Sequence, residues 1–437
     1  MANTVLRKDY SGSGNRQRQT ISVWVKKAGL GGNQAIFSVR HTGNSNYYGY
    51  LRFKSDDSLQ YFTNTPSVNL ITNRKFRDVN AWYHIVIATD TTQLTEADRV
   101  KMYVNGVQET SLNTATYPSE NGEVTFGDNY RHEIGSYDAS YYFNGCLSHF
   151  HFITNTTYQA STFGSTDSTT GEWQINTSPT VTYATNSFFL LKDGNSVTDQ
   201  SGQGNNWTVG GGTLTKTEDN PSNVFATMNP LQNLPSANTY SQGNNTVTYT
   251  VHNDLAEATL GMTSGKYYWE QKFINATGGN NAMVGVGNEN AHRSAYLGAD
   301  TTGWSYYAVS GTKYHNGSNS SYGATFTAGD IIGVAFDADT RTIWFSKNGT
   351  WQNSATISEI GAGTTTNSAY TGMGSAGDLF LPVTSGYNGN VISWNFGNGY
   401  FGTTAVSSAG TNASGNGIFE FDCPDGYTAL STKGLNL

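Results

Sequence analysis

Residues 331–352 read IIGVAFDADTRTIWFSKNGTWQ, and their pattern indicates the class of fold. Two apolar runs with the composition of strands flank an acidic connection, and the dipeptide Asn348-Gly349 then favours a tight hairpin turn. Asp337 and Asp339 suit a turn, because an Asp side chain accepts hydrogen bonds from the turn backbone. A metal site would need further oxygen ligands from elsewhere in the chain. We therefore interpret the stretch as strand, acidic turn, strand and Asn-Gly turn.

The composition of the whole chain points to the same class of structure. Its 437 residues include 13 % aromatic residues and 50 glycines, and only 13 % are charged, against about 25 % in typical soluble domains. Aromatic and β-branched residues suit a pleated sheet, while Gly and Asn supply turns. No window shows sustained helical periodicity. We therefore expect an all-β protein.

A weaker copy of the opening pattern lies in the first half of the chain. The stretch AWYHIVIATD, residues 81–90, alternates as a strand does. RVKMYVNG, residues 99–106, follows it and ends in a second Asn-Gly dipeptide. Two halves with the same order of features indicate two sandwiches of one architecture.

A cluster of prolines marks the predicted boundary between the halves. Pro221, Pro230 and Pro235 lie close together between two strand-rich stretches, and such breakers are typical of a junction. We predict two tandem antiparallel β-sandwiches, covering residues 1–232 and 233–437, the second with a C-terminal tail.

Several classes of function are disfavoured by charge and hydropathy. The net charge is −8, and no block of Lys or Arg offers the basic patch that nucleic-acid binding needs. No run approaches the roughly 20 apolar residues of a membrane-spanning helix. The first residues lack the apolar core of a secretory signal. Cys146 and Cys423 are far apart, so we expect two buried thiols rather than a disulfide.

The strongest catalytic pattern is FEFDCPD, residues 419–425. Glycan-cleaving sandwiches place paired carboxylates on one strand face, about 5.5 Å apart. In a strand, Glu420 and Asp422 would share a face, but Pro424 interrupts the pattern where a third carboxylate belongs. We expect no enzymatic activity from this motif.

A possible metal pair is formed by His149 and His151. In a regular strand both imidazoles point to the same face, yet a transition metal needs at least a third ligand. We expect an ordinary strand face here.

Aromatic residues near Gly- and Asn-rich loops are the best binding candidates. Rings can stack on the apolar faces of sugars while amides bond the hydroxyl groups, and Tyr is equally enriched at protein interfaces. Part of the set must be strand core, given the alternation in SYYAV. The candidate ligand-binding residues are Tyr47, Tyr48, Tyr50, Tyr137, Tyr141, Trp304, Tyr306 and Tyr314.

The second half resembles a SPRY domain over about residues 236–400. Six segments occur in the order of that family: GKYYWE, VGVG, the stretch from Trp304 to His315, GDIIGVAFD, TIWFSKNG and LFLPVTSG. The resemblance implies a bent β-sandwich that binds partners through loops at one end and has no known catalytic residues.

The first half is similar to the concanavalin A-like, laminin G-like group, which implies a jelly-roll sandwich. The markers are TISVWVK, WYHIVIATD, RVKMYVNG, EIGSY, YYFNGCLSHFHFI and DQSGQGNNW. Several laminin G-like proteins bind calcium, so the resemblance leaves calcium open, but no ligand residue can be assigned here and no other cofactor is expected. This order of segments, the FATMNPL junction and the DGYTALST ending also resemble large proteins of tailed bacteriophages.

Together these features predict a non-enzymatic protein on the surface of a phage virion, assembled in the host cytoplasm. As an adhesin, fibre or appendage it would bind host-surface glycan or protein, in many copies or as a homo-oligomer. A second hypothesis is a structural decoration, collar or capsid-attached protein that binds virion neighbours. A third, minor one is a glycan depolymerase. Neither nucleic-acid binding nor membrane insertion is expected.

Overall fold

The computed structural model describes residues 3–192, 196–232, 238–277, 279–291 and 295–437. Within these residues the chain consists almost entirely of strands and turns. They form two compact units, Met1–Lys216 and Thr217–Leu437. The expectation of an all-β protein is confirmed.

The domain boundary at residue 232 stays a prediction. Pro235, one of the prolines behind it, lies outside the described residues. The two units divide between Lys216 and Thr217. The backbone N–H of Ala226 already bonds to the C-terminal segment of the second unit, at 2.9 Å.

The first unit is a sandwich of one eight-stranded and one six-stranded sheet. Its strands are β1 (Val5–Asp9), β2 (Arg18–Lys27), β3 (Gln34–Arg40), β4 (Tyr48–Phe53), β5 (Ser58–Thr63), β6 (Val68–Lys75), β7 (Trp82–Asp90), β8 (Val100–Val104), β9 (Val107–Gln108), β10 (Leu112–Thr116), β11 (Arg131–Ile134), β12 (Gly145–Thr154), β13 (Gly164–Thr166), β14 (Trp173–Ile175), β15 (Phe188–Leu190) and β16 (Thr208–Gly211). The larger sheet has the order β10-β6-β5-β4-β3-β11-β1-β16, and the smaller has β15-β12-β2-β7-β8-β9. Apolar side chains of both sheets, such as Phe37 and Ile85, meet in one buried cluster.

The second unit repeats this architecture. Its strands are β17 (Thr239–Ser241), β18 (Thr246–Thr248), β19 (Asp254–Glu257), β20 (Lys266–Ala276), β21 (Met283–Asn288), β22 (Gly303–Tyr307), β23 (Thr312–His315), β24 (Ser318–Ser321), β25 (Ile331–Asp337), β26 (Thr342–Lys347), β27 (Thr350–Trp351), β28 (Phe380–Gly386), β29 (Asn390–Asn395), β30 (Tyr400–Phe401), β31 (Thr404–Ala405) and β32 (Thr428–Ala429), with one short helix, α1 (Ile357–Gly361). One sheet has the order β17-β18-β29-β20-β25-β26-β27, with β32 parallel to β20, and the other has β19-β28-β21-β22-β23-β24. Of the described helices, none has the length and hydropathy to span a bilayer.

The opening stretch folds as its sequence predicts. Strands β25 and β26 pair antiparallel, and the carboxylate of Asp337 accepts the N–H groups of Asp339 and Thr340 at 3.0 and 3.1 Å. Asn348 and Gly349 have φ angles of 47° and 80°, as a type I′ hairpin turn requires. Asp337 therefore shapes the turn, whereas the carboxylate of Asp339 accepts the N–H of Gly265 at 3.1 Å.

The first-half copy has the same construction. Strands β7 and β8 pair antiparallel, and Asp90 at the end of β7 accepts the N–H of Thr92 at 3.1 Å. Asn105 and Gly106 also have positive φ angles, 47° and 81°. The internal similarity predicted from sequence therefore extends to the turn hydrogen bonds.

Candidate functional site

Tyr48 and Tyr50 lie on a sheet face rather than in a loop. Both belong to β4, where their neighbours Gly49 and Leu51 are buried in the sandwich and the tyrosines point away from it. The ring of Tyr50 stacks on that of Phe62 in β5, with centroids 5.0 Å apart and an interplanar angle of 17°. The face therefore begins as a pair of neighbouring strands with aromatic side chains.

A strained turn adds Tyr137 and Tyr141 to this face. The turn follows β11, and Asp138, Ala139 and Tyr141 all have left-handed φ angles of 48° to 52°, which cost energy for residues with a Cβ atom. The ring of Tyr137 lies 6.0 Å from Tyr48 and 6.0 Å from Tyr141. Four of the five first-half candidates therefore come together.

Arg52 completes the cluster at the end of β4. Its guanidinium carbon lies 4.2 Å from the ring centroid of Tyr50 and 5.1 Å from that of Tyr141, within the range of cation–π attraction. Its Nε donates to the side-chain oxygen of Gln60 at 2.9 Å. We call the following set the tyrosine platform: Tyr48, Tyr50, Phe62, Tyr137, Tyr141 and Arg52.

The fifth first-half candidate, Tyr47, faces another neighbourhood. Its ring lies 5.9 Å from Tyr130 and 6.4 Å from His41. It remains half-buried at a loop beside the platform. The structure does not group it with the platform residues.

Trp304 and Tyr306 lie in the core of the second unit. Their side chains are 4 % and 0 % exposed, and they pack with the main buried cluster. Both point inward from β22, because alternate residues of a strand face the same side. These two candidates therefore have no ring face available to a ligand, which corrects their assignment to a binding surface.

Tyr314, the last candidate, lines an open cavity of about 320 Å³. The cavity lies on the outer face of the six-stranded sheet, where Met283 of β21 stands opposite Tyr307 of β22 and Ser385 of β28. Loops at the strand ends supply the remaining wall. We call this site the tyrosine cavity, and its lining is Asn253, Asn281, Met283, Tyr296, Tyr307, Tyr314, Ser385 and Tyr387.

The rings in the tyrosine cavity brace one another at right angles. Tyr314 contacts Tyr307 and Tyr296 edge-to-face, with centroids 5.5 and 6.0 Å apart. The hydroxyl of Tyr307 donates to the side-chain oxygen of Asn281 at 2.6 Å. Burial, and then the neighbouring Tyr314, raise the pKa of Tyr307. The cavity therefore combines fixed apolar walls with neutral hydrogen-bonding groups.

Glu420 and Asp422 do not form a carboxylate pair on a strand. The segment that carries them is a series of bends. Glu420 accepts hydrogen bonds from Ser407, and Asp422 accepts the N–H and hydroxyl of Thr411, which lower the pKa of Asp422. Both side chains are occupied in holding a loop, which corrects the predicted shared face.

The Ser22–His84 pair resembles a catalytic dyad, with Oγ and Nε2 2.9 Å apart. However, the indole N–H of Trp173 donates to Nδ1 of His84 at 3.1 Å. Nδ1 must then be the acceptor, so Nε2 carries the proton and donates to Ser22. Burial lowers the pKa of His84 to about 3. An imidazole in this tautomer does not activate a serine.

The histidines of CLSHFHF occupy an irregular part of β12. The register shifts between Ser148 and His151, and His149 has a φ of 46°, so the strand is not regular as predicted. His151 is buried against Phe189, with ring centroids 3.9 Å apart. Across the described residues, no group of three or more His, Cys, Asp or Glu side chains could hold a metal ion.

Comparison with protein families finds a match in each unit. Residues 9–161 match the concanavalin A-like lectin/glucanases superfamily. Residues 266–399 match the SPRY domain. Both expected domain types are confirmed in the expected order.

Curated proteins are similar to limited parts of the chain. SPRY domain-containing SOCS box protein 3 of Xenopus tropicalis is 31 % identical over 94 residues, which is 20 % of this chain and 26 % of that protein. The Ran-binding proteins 9/10 homolog of Drosophila melanogaster is 30 % identical over 120 residues, 25 % of this chain and 12 % of that protein. This chain thus covers about a quarter of the first relative and less of the second.

Among solved structures, the crystal structure of the SPRY domain of human HERC1 is 26 % identical, with a TM-score of 0.29, covering 34 % of this chain and 87 % of that one. The family matches carry the assignment. The chain thus carries a concanavalin A-like match in its first unit, followed by a SPRY match in its second.

Proposed function

We propose that the chain is a non-enzymatic recognition protein on the surface of a tailed-phage virion, acting as an adhesin, fibre or appendage. The phage assignment is supported by the likeness of the first-half segments, the FATMNPL junction and the DGYTALST ending to phage proteins. As a virion part, the chain would be assembled in the host cytoplasm. Display in many copies would strengthen weak contacts by about 10²–10⁴.

The tyrosine cavity is the observation that carries the proposed recognition. Its volume of about 320 Å³ lies at the lower end of ligand sites and suits one or two side chains of a protruding protein segment. Tyrosine is enriched where proteins bind, because a ring buries a large area with few rotatable bonds. The side-chain amides of Asn253 and Asn281 suit the backbone of such a segment. We assign the cavity to a segment of a host-surface protein.

The test is selection of peptides from a random display library on the immobilised full chain. We expect the selected peptides to converge and to bind in titration. Binding should weaken about tenfold or more in Tyr307→Ala and Tyr314→Ala. Tyr400→Ala is the matched control, because Tyr400 is also half-buried in the second unit and does not line the cavity. The proposal is contradicted if the selected peptides do not converge on a common sequence. It is also contradicted if Tyr307→Ala and Tyr314→Ala bind the peptides as tightly as the wild type does.

The site of action needs a separate measurement on cells. The labelled, multimerised chain is offered to a panel of bacteria, with the selected peptide as competitor. Saturable binding that the peptide displaces supports adhesion. If no cell binds and the chain instead captures purified capsid or tail proteins, the structural alternative replaces the adhesin.

A further inference from the structure

We infer that the tyrosine platform of the first unit binds an acidic oligosaccharide, with Arg52 receiving a sugar carboxylate. This site is in the other unit from the tyrosine cavity and is chemically different from it. The inference deepens the proposed binding function by naming the class of ligand taken at the platform.

Arg52 has no carboxylate partner among the described residues. Arginines elsewhere on the same sheet have carboxylate partners: Arg7 pairs with Glu133 at 2.9 Å, and Arg131 pairs with Asp9 at 3.2 Å. Arg52 contacts only two aromatic rings and the neutral Gln60 among the described residues. Its guanidinium keeps free N–H donors in the planar arrangement that suits a carboxylate.

Two linked hydrogen bonds hold the guanidinium of Arg52 in place. Gln60 accepts from Arg52 at 2.9 Å and donates to Asn69 at 2.8 Å. Gln60 is only 5 % exposed, so it orients Arg52 from below and does not compete for a ligand. Arg52, Gln60 and Asn69 lie on the adjacent strands β4, β5 and β6. They span about 10 Å, which is comparable with the length of a disaccharide.

An aromatic surface lies beside the guanidinium of Arg52. Tyr50 is only 9 % exposed, because its ring is stacked on Phe62 and covered by Arg52. The ring surface open to the apolar C–H side of a sugar is therefore that of the half-buried Tyr48 and Tyr137 and the exposed Tyr141. The hydroxyls of the four platform tyrosines make no hydrogen bond with any described residue. Tyr141 is 38 % exposed. Ring faces, free hydroxyls and one cation therefore meet on a single surface.

A turn with left-handed backbone angles carries two of the rings, Tyr137 and Tyr141. Ala139 and Tyr141 have φ angles of 52° and 48°, although both carry a Cβ atom. Such conformations cost of order 1–3 kcal/mol each and concentrate at functional sites. This turn is what holds Tyr137 and Tyr141 against the strand tyrosines.

The experiment titrates the full chain with hexasaccharides of galacturonate, mannuronate and guluronate, each beside its fully methyl-esterified form. The ester keeps the sugar ring and removes only the negative charge. We expect at least one uronate to bind saturably, and its ester to bind with an affinity at least about tenfold lower. Added salt should lower the affinity for the acid form. Arg52→Gln should bind the acid no better than the ester, while Arg52→Lys keeps part of the preference.

The control variant is Arg131→Gln, which removes an ion-paired arginine from the same sheet and should leave uronate binding unchanged. Thermal melts of each variant confirm folding. Absence of binding by all three uronates, equal binding of acid and ester, or wild-type binding by Arg52→Gln would overturn the inference. Selection of peptides that require Arg52 would assign the platform to protein. Tyr307→Ala should still bind the uronate, so failure of the cavity proposal and failure of this one are distinguishable.

Discussion

The carboxylate of Glu270 accepts the backbone N–H of Phe421 at 2.9 Å, although 151 positions separate the two residues. The N–H of Glu420 donates to the same carboxylate at 2.9 Å, as do Tyr268 at 3.1 Å and Asn395 at 3.2 Å. The side chain is fully buried. Glu270 therefore fastens the C-terminal segment to the central strand β20.

At pH 5, replacing Glu270 by Gln should destabilise the second unit by about 2–4 kcal/mol. The amide keeps the shape but places an NH₂ group against two of the four donors. The measurement is guanidinium unfolding of the full chain. Asp425→Asn, which alters an exposed carboxylate in the same segment, should change little. An equal loss in both variants would contradict the role of Glu270.

The stability of the second unit should also depend on pH through Glu270. Burial raises the pKa of this carboxyl to about 7, against the opposing effect of its hydrogen bonds. Because the folded pKa is above the unfolded value, the stabilisation is complete below about pH 4.5 and is lost as the pH rises through 7. We expect the difference in unfolding free energy between wild type and Glu270→Gln to shrink between pH 5 and pH 8, by on the order of 3 kcal/mol. A constant difference would show that Glu270 does not titrate in this range.

Two tyrosines predicted as ligand contacts should behave in opposite ways. Tyr306→Ala should cost about 3–5 kcal/mol of folding free energy, because it leaves a cavity in the core. Tyr141→Ala, in the exposed part of the platform, should cost less than about 1 kcal/mol. Thermal unfolding of both variants makes the comparison. Similar losses would mean that Tyr141 is also a core residue.

The turn after β25 should tolerate Asn but not Ala at position 337. Asn retains an oxygen that accepts the N–H groups of Asp339 and Thr340, whereas Ala leaves both without this partner. We expect a loss of about 2 kcal/mol for Asp337→Ala and less than about 1 kcal/mol for Asp337→Asn. Chemical unfolding measures both. The ion pair with the partly exposed Lys266, at 3.7 Å, contributes little, so equal losses would assign it a larger role.

The parts of the fold that were predictable from sequence are the local ones. Strands β7, β8, β25 and β26 and their Asn-Gly turns follow from alternation and turn chemistry within about twenty residues. The tyrosine platform was not predictable as a sheet face, because Tyr137 reaches Tyr48 through strand pairing between distant segments. Alternation placed Trp304 and Tyr306 on one side of β22, but not which side is the core.

Two further features escaped sequence reasoning for different reasons. The bulge in β12 changes where His149 points, and a bulge leaves no mark in an alternating pattern. Glu270 was missed although a signal exists, since an acidic residue within the aromatic run KYYWEQKF is unusual in a buried strand.

The hydrogen bond between Glu270 and Phe421 can form only late in the synthesis of the chain. At ribosomal rates of 5–20 residues per second, the 151 positions between the two residues correspond to roughly 8 to 30 s of translation. The antiparallel partners of β20, strands β25 and β29, are made during that interval, but the buried carboxylate of Glu270 still lacks the N–H donors of Glu420 and Phe421. The contact between Glu270 and the C-terminal segment therefore forms only after Phe421 has been synthesised, so slowing translation between these two positions would delay that contact.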